Sequence, residues 1–146
     1  MARKPATLTT VPAAAHQPGL LALDNDNQNK LNLTGLQVQE SVNLDLAFQP
    51  AEPNATRWDY YIGIAKHGEI YLEVHKLNDA ELDKLLKKAE WLRSKIAQFD
   101  WPATAGRPLF LAPTSGIPLS HGHLAKQLAL KKILVVRKGD LIAKIL

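Results

Sequence analysis

Apolar and polar positions alternate most clearly between Trp58 and His75. Trp58 to Ala65 and Glu69 to His75 are rich in Tyr, Ile and Val at period two, which predicts two strands. Lys66-His67-Gly68 between them reads as a three-residue hairpin loop, with Gly68 where a left-handed backbone favours a residue without Cβ. That loop sets Ala65 opposite Glu69. Ile64 then faces Ile70, Ile62 faces Leu72 and Tyr60 faces Val74, an apolar face. The other face pairs Gly63 with Tyr71, Tyr61 with Glu73 and Asp59 with His75. A one-residue slip would mix the two faces, so burial supports this register. Asp59, Glu73 and His75 are thereby expected on one surface, with opposed Cβ atoms roughly 4.5–5.5 Å apart.

A helix follows. Asn78 can cap it, Glu81 stands three residues on as a capping-box partner, and Leu77 and Leu82 can form a hydrophobic staple. Leu82, Leu85, Leu86, Ala89, Leu92 and Ile96 form one stripe at helical spacing, and Pro102 ends the helix. Lys84, Lys87, Lys88, Lys95 and Trp91 lie outside the stripe. By helical phase Lys87 points outward, whereas Lys88 sits at the stripe's margin beside Leu92, where its stem can run along a sheet.

Elsewhere the pattern is weaker. Residues 1–30 lack periodicity and are expected as a mobile N-terminal tail with one short ordered piece at Leu20–Leu23. Val42, Leu44, Leu46 and Phe48 predict a strand over Val42–Phe48, while Leu33–Glu40 fits a strand or a poor helix. Gln49–Thr56 is a loop. Leu109–Ala112 reads as a strand, Pro113–Gly122 as a loop, His123–Leu130 as a helix and Ile133–Arg137 as a basic strand. Leu141–Leu146 closes the chain as a strand or helical turn. The order predicts one α/β domain over residues 31–146, with a mixed sheet in which a three-strand meander precedes a long helix.

Composition narrows the classes. A length of 146 residues suits one domain with a real core, and 46% hydrophobic content excludes wholesale disorder. The formal charge of +4 permits an anionic partner without demanding one. The chain has no Cys, which removes disulfides, thiolate metal sites and cysteine nucleophiles and suits the cytoplasm. No apolar run reaches the roughly 18–20 residues of a membrane span, so no membrane partner is expected. P-loop, dinucleotide and nucleophile-elbow motifs are missing. His121 and His123 flank Gly122 without a third ligand, a poor basis for a metal site.

Two carboxylates and an imidazole on one sheet face can hold a hard divalent cation such as Mg2+, which needs few protein ligands. Beside a phosphodiester such an ion would activate water, and the Lys88 ammonium would stabilise charge. The plain alternative is a solvated polar face with an incidental Asp–His pair. Lys84, Lys88 and Trp91 could also track a phosphate backbone and stack a base, although such a face is commonly just solvated.

With these residues in view, the segment from about Ser41 to Phe99 resembles the PD-(D/E)XK nuclease-like superfamily (restriction-endonuclease-like core). It is also similar to small bacterial proteins that carry R-W-D-Y, E-V-H and K-x-x-W-L in succession. The matching pieces are Arg57-Trp58-Asp59-Tyr60, Glu73-Val74-His75, and Lys88 with Trp91-Leu92. The resemblance implies a meander, a helix and a further strand, with an acid on the second strand and an E-x-K on the third binding Mg2+ and water. Here His75 stands where the lysine is usual, no Pro precedes Asp59, and the resemblance gives the lysine's role to Lys88. It implies a metal-dependent nuclease, or a nuclease-fold relative, acting on DNA or RNA. Asp59 and Glu73 would hold the metal, and His75 would serve as second ligand or proton carrier. Asp45 or Glu40, near the first strand, would supply any further acid in such a scheme. The alternative is a non-catalytic binding or assembly protein of the same fold, whose partner is nucleic acid, another protein or a second copy in a homo-oligomer.

Overall fold

The computed structural model describes Leu8, residues 11–114 and residues 121–146. Strand β1 is His16–Pro18, β2 Val38–Asn43, β3 Tyr60–Ile64, β4 Gly68–His75, β5 Leu109–Pro113 and β6 Ile133–Val135. They form one six-stranded sheet in chain order. β1 to β4 pair antiparallel, whereas β4, β5 and β6 run parallel. Parallel neighbours need crossovers. Helix α3 (Leu82–Phe99) joins β4 to β5, and the stretch from β5 to β6 includes α4 (His121–Leu130). Two short helices precede them, α1 (Asn25–Gln28) and α2 (Leu44–Phe48).

The hairpin forms, but its pairing differs from the expected one by two residues. Tyr60 faces Leu72, Ile62 faces Ile70 and Ile64 faces Gly68. The loop is Ala65–His67: His67 N–H donates to Ile64 O, Lys66 takes φ 71° and Gly68 φ 87°. Gly68 thus has the left-handed backbone that its lack of Cβ allows, but as the first residue of β4. A shift of two leaves every side chain on its face, so burial cannot distinguish the two registers; the turn does.

Both sheet faces are covered. Leu85, Ala89 and Leu92 of α3 and Leu124 and Leu128 of α4 pack with Val42, Tyr61, Tyr71 and Leu111 in one cluster. The opposite cluster gathers Tyr60, Ile62, Ile64, Ile70, Leu72 and Phe110 beneath Leu23, Leu31, Val136 and Ile142. The hairpin face that carries Asp59, Glu73 and His75, for which a solvated surface was the plain alternative, therefore lies under α3.

Much of the segment expected as a mobile tail is built into this arrangement. β1 pairs with β2, Leu8, Val11 and Leu23 are buried, as is Leu31 just after them, and Gln28 Nε2 donates to Leu20 O and Leu23 O. The second apolar sheet face needs a cover, which Leu23 and Leu31 supply, whereas Leu8 and Val11 join the cluster on the α3 face. The strand expected over Val42–Phe48 also differs. Asn43 Oδ1 accepts from Leu46 N–H and turns the chain into α2, leaving Leu46 64% exposed. Part of the loop expected over Pro113–Gly122 falls at 115–120, outside the described residues. None of the described helices is long and apolar enough to cross a membrane.

Candidate functional site

The corrected register brings Asp59 beside Glu73 rather than His75. Asp59 N–H donates to Glu73 Oε1 at 3.1 Å, and Val74 N–H donates to Asp59 Oδ2 at 2.9 Å. These two side-chain bonds continue the β3–β4 pairing past its last backbone rung, so both acids are fixed by backbone. Lys88 comes in from α3, as its position at the stripe's margin requires. Its Nζ lies 2.6 Å from Glu73 Oε2, with the side chain 12% exposed and that of Glu73 0%. Lys87, one residue earlier, points out to Asp83. The group sits at the carboxyl end of β4, where open α/β sheets place their ligands.

His75 joins the same acid from the other side. Its Nδ1 is 3.4 Å from Glu73 Oε2 and its Nε2 3.1 Å from Glu81 Oε2. The hydrogen bond to Glu73 and the one to Glu81 hold the imidazole pKa above its ordinary value against the opposing effect of burial. When protonated, the imidazole would bridge the two carboxylates with no lone pair left for a metal and would carry a proton rather than act as a ligand. The sequence reading missed Glu81 as His75's partner because its spacing from Asn78 suggested a capping box. Asn78 Oδ1 does accept from Glu81 N–H at 2.9 Å, but the Glu81 carboxylate turns to His75.

Asp59 is the strained member. Burial, reinforced by the neighbouring Glu73 charge, pushes its carboxyl up to about 7, with Lys88 and the Val74 N–H acting in the opposite direction. A cation between the two acids would relieve that strain. The donors are all oxygens, which suits a hard ion. Glu73 Oε2 is taken by Lys88 and His75, whereas Glu73 Oε1 accepts one bond, from Asp59 N–H, and among the described residues Asp59 Oδ1 accepts none. Glu73 Oε1 and Asp59 Oδ1 would be the oxygens to hold such an ion, with water and substrate completing its shell. No cluster of three or more His, Asp or Glu ligands is placed for a metal among the described residues.

The other candidates are engaged elsewhere. Asp45 pairs with Arg57 at 2.9 Å, and Glu40 accepts from Tyr61 Oη at 3.2 Å with His16 3.5 Å away. Trp91 stands edge-on to Phe48 at 5.4 Å, donates through Nε1 to Glu52 and lies under the Lys95 ammonium, itself 2.6 Å from Glu52. Its ring is thus engaged in the protein's own packing while remaining partly exposed. Lys84 is exposed on α3 one turn before Lys88. His121 opens α4, where its Nε2 lies 3.1 Å from Arg137.

Comparison with protein-family models, with curated proteins and with solved structures gave no match.

Proposed function

We propose that the protein is a metal-dependent phosphodiester hydrolase of nuclease type, acting at the Asp59–Glu73–Lys88 centre. The convergence of two acids from adjacent strands and one amine from the following helix carries this reading. It is the arrangement that the resemblance to the PD-(D/E)XK superfamily implies, with the lysine on the helix. Asp59 and Glu73 would hold Mg2+, which when bound supplies Lewis acidity at a phosphoryl oxygen and a more acidic water. Lys88 lies where an ammonium can neutralise charge building on phosphate. His75, held between Glu73 and Glu81, would in its protonated form deliver a proton to a leaving oxygen.

The test is cleavage of mixed single- and double-stranded DNA and RNA in Mg2+, with and without a chelator. Cleavage that the chelator stops, and that both Glu73→Gln and Asp59→Asn lower by at least about a hundredfold, supports the reading. Cleavage that survives either change or the chelator refutes it.

The closure of the ion pairs around Glu73 favours a second reading, a binding or assembly protein that keeps the fold without catalysis. Oligonucleotide titration at low and high salt with sedimentation separates the two. Salt-sensitive binding or self-association without cleavage selects this second reading.

A further inference from the structure

At the opposite end of β4 from Glu73, roughly 13 Å along the strand at about 3.3 Å per residue, lies a separate cavity. Its volume is about 240 Å³, and it opens between the last turns of α3 and the 101–108 loop. Ile70, Tyr71, Ile96 and Leu109 give it apolar walls, and Arg93, Arg107 and Lys132 give it three cations against the single carboxylate of Glu69.

The cavity is held open by bonds already made. Tyr71 Oη donates to Pro102 O at 2.6 Å, Thr104 donates to Glu69 through both its N–H and its hydroxyl, and Arg107 Nη1 donates to Glu69 O at 2.5 Å. The loop that forms one wall is therefore pinned to the strand that forms the floor.

Arg93 is the informative group. Its Nη2 donates to Lys131 O at 2.7 Å and Lys132 O at 3.4 Å, which anchors the guanidinium at the cavity wall. Among the described residues its remaining nitrogens make no hydrogen bond and no carboxylate lies within ion-pair distance. Burial lowers its pKa with no acid to offset the effect. A partly desolvated guanidinium with open donors, fixed beside an apolar wall, matches the planar fork of an oxyanion.

We propose that this cavity is a binding site for a small organic oxyanion, a carboxylate or phosphate monoester on a flat apolar body. Arg93 takes the oxyanion, Lys132 adds charge at the rim, and the body rests on Ile96 and Leu109. The volume lies just below the ordinary range for ligand pockets, which limits the body to about one ring. The site does not depend on the hydrolase reading.

Titration of the full chain by calorimetry and amide NMR tests it, with phenyl phosphate, benzoate, inorganic phosphate and neutral benzamide as probes. Saturable binding of phenyl phosphate or benzoate at millimolar or lower concentration is expected, with shifts at Thr104 and Gly106. Which of the two binds more tightly identifies the oxyanion. Arg93→Gln is expected to weaken binding about tenfold or more. Lys132→Asn, which suits the φ of 57° at that position, is expected to weaken it several-fold. Asp59→Asn is expected to leave it unchanged. Benzamide binding as well as benzoate, inorganic phosphate binding as well as phenyl phosphate, no saturation by about 10 mM, or a folded Arg93→Gln chain with unaltered affinity would each overturn the proposal.

Discussion

Asp59 pays for its place beside Glu73 in stability. Its folded pKa, about 7, is raised from 3.8, so the folded state holds a proton that the unfolded chain releases. The penalty is absent below about pH 4 and complete above about pH 7. His75 acts in the same direction. Its raised folded pKa gives stability that is full below its ordinary value and lost as pH rises through the folded one. The protein is therefore expected to melt at a lower temperature near pH 8 than near pH 5.5. Asp59→Asn removes the carboxylate and leaves an amide oxygen for Val74 N–H. It is expected to stabilise the chain at about pH 8 by on the order of 2 kcal/mol, after allowance for solvent screening of this partly exposed group, and to flatten the pH dependence. Thermal melts across that range check both points; an Asp59→Asn chain no more stable than the parent at high pH contradicts them. Lys88→Met leaves the Glu73 carboxylate without its nearest cation and is expected to cost about 3 kcal/mol in denaturant unfolding. A cost below about 1 kcal/mol would mean that the pair contributes little.

At the level of elements, α3 is legible from its Leu85–Ala89–Leu92 stripe, whereas Asn78 caps not α3 itself but the 3-10 turn Asp79–Glu81 that leads into it, and Glu81 at the head of α3 makes no side-chain cap bond. Its end is set three residues before Pro102. The helix stops at Phe99 because Asp100 turns left-handed at φ 51° and Trp101 N–H returns to Ile96 O. Asp tolerates that conformation less well than Gly, so Asp100→Gly is expected to raise stability by about 1 kcal/mol, read as a higher unfolding midpoint. A loss of stability would show that the Asp100 side chain matters more than its backbone. The hairpin was legible to the face but not to the pair. Alternation of Ile62, Ile64, Ile70 and Leu72 sets which way each side chain points, and a two-residue shift respects that pattern equally. Only the turn chosen around Lys66 decides whether Asp59 meets His75 or Glu73.

Across the whole molecule, the α/β class and the mixed sheet could be read from the order of strands and helices. The cover of the second sheet face could not. Leu23 and Leu31 sit in polar surroundings without periodicity, and their burial depends on a distant apolar surface that only the closed sheet creates. The same limit hid the 240 Å³ cavity, whose Arg93, Arg107 and Glu69 come from three separate segments. The candidate centre was half legible. Helical phase placed Lys88 near the strands, but local pattern did not show that α3 would bury Glu73 completely. That burial couples metal to proton in the proposed hydrolase. Asp59 must lose its proton before it can share a cation, so Mg2+ is expected to raise the melting temperature more near pH 8 than near pH 5.5. An equal rise at both values would place the ion elsewhere. The most direct measurement is anomalous diffraction from a crystal soaked in Mn2+ at about pH 8. The account predicts one peak within about 2.2 Å of an oxygen from each of Asp59 and Glu73. Well-ordered side chains with no peak between them, or a peak that leaves both carboxylates untouched, would contradict it.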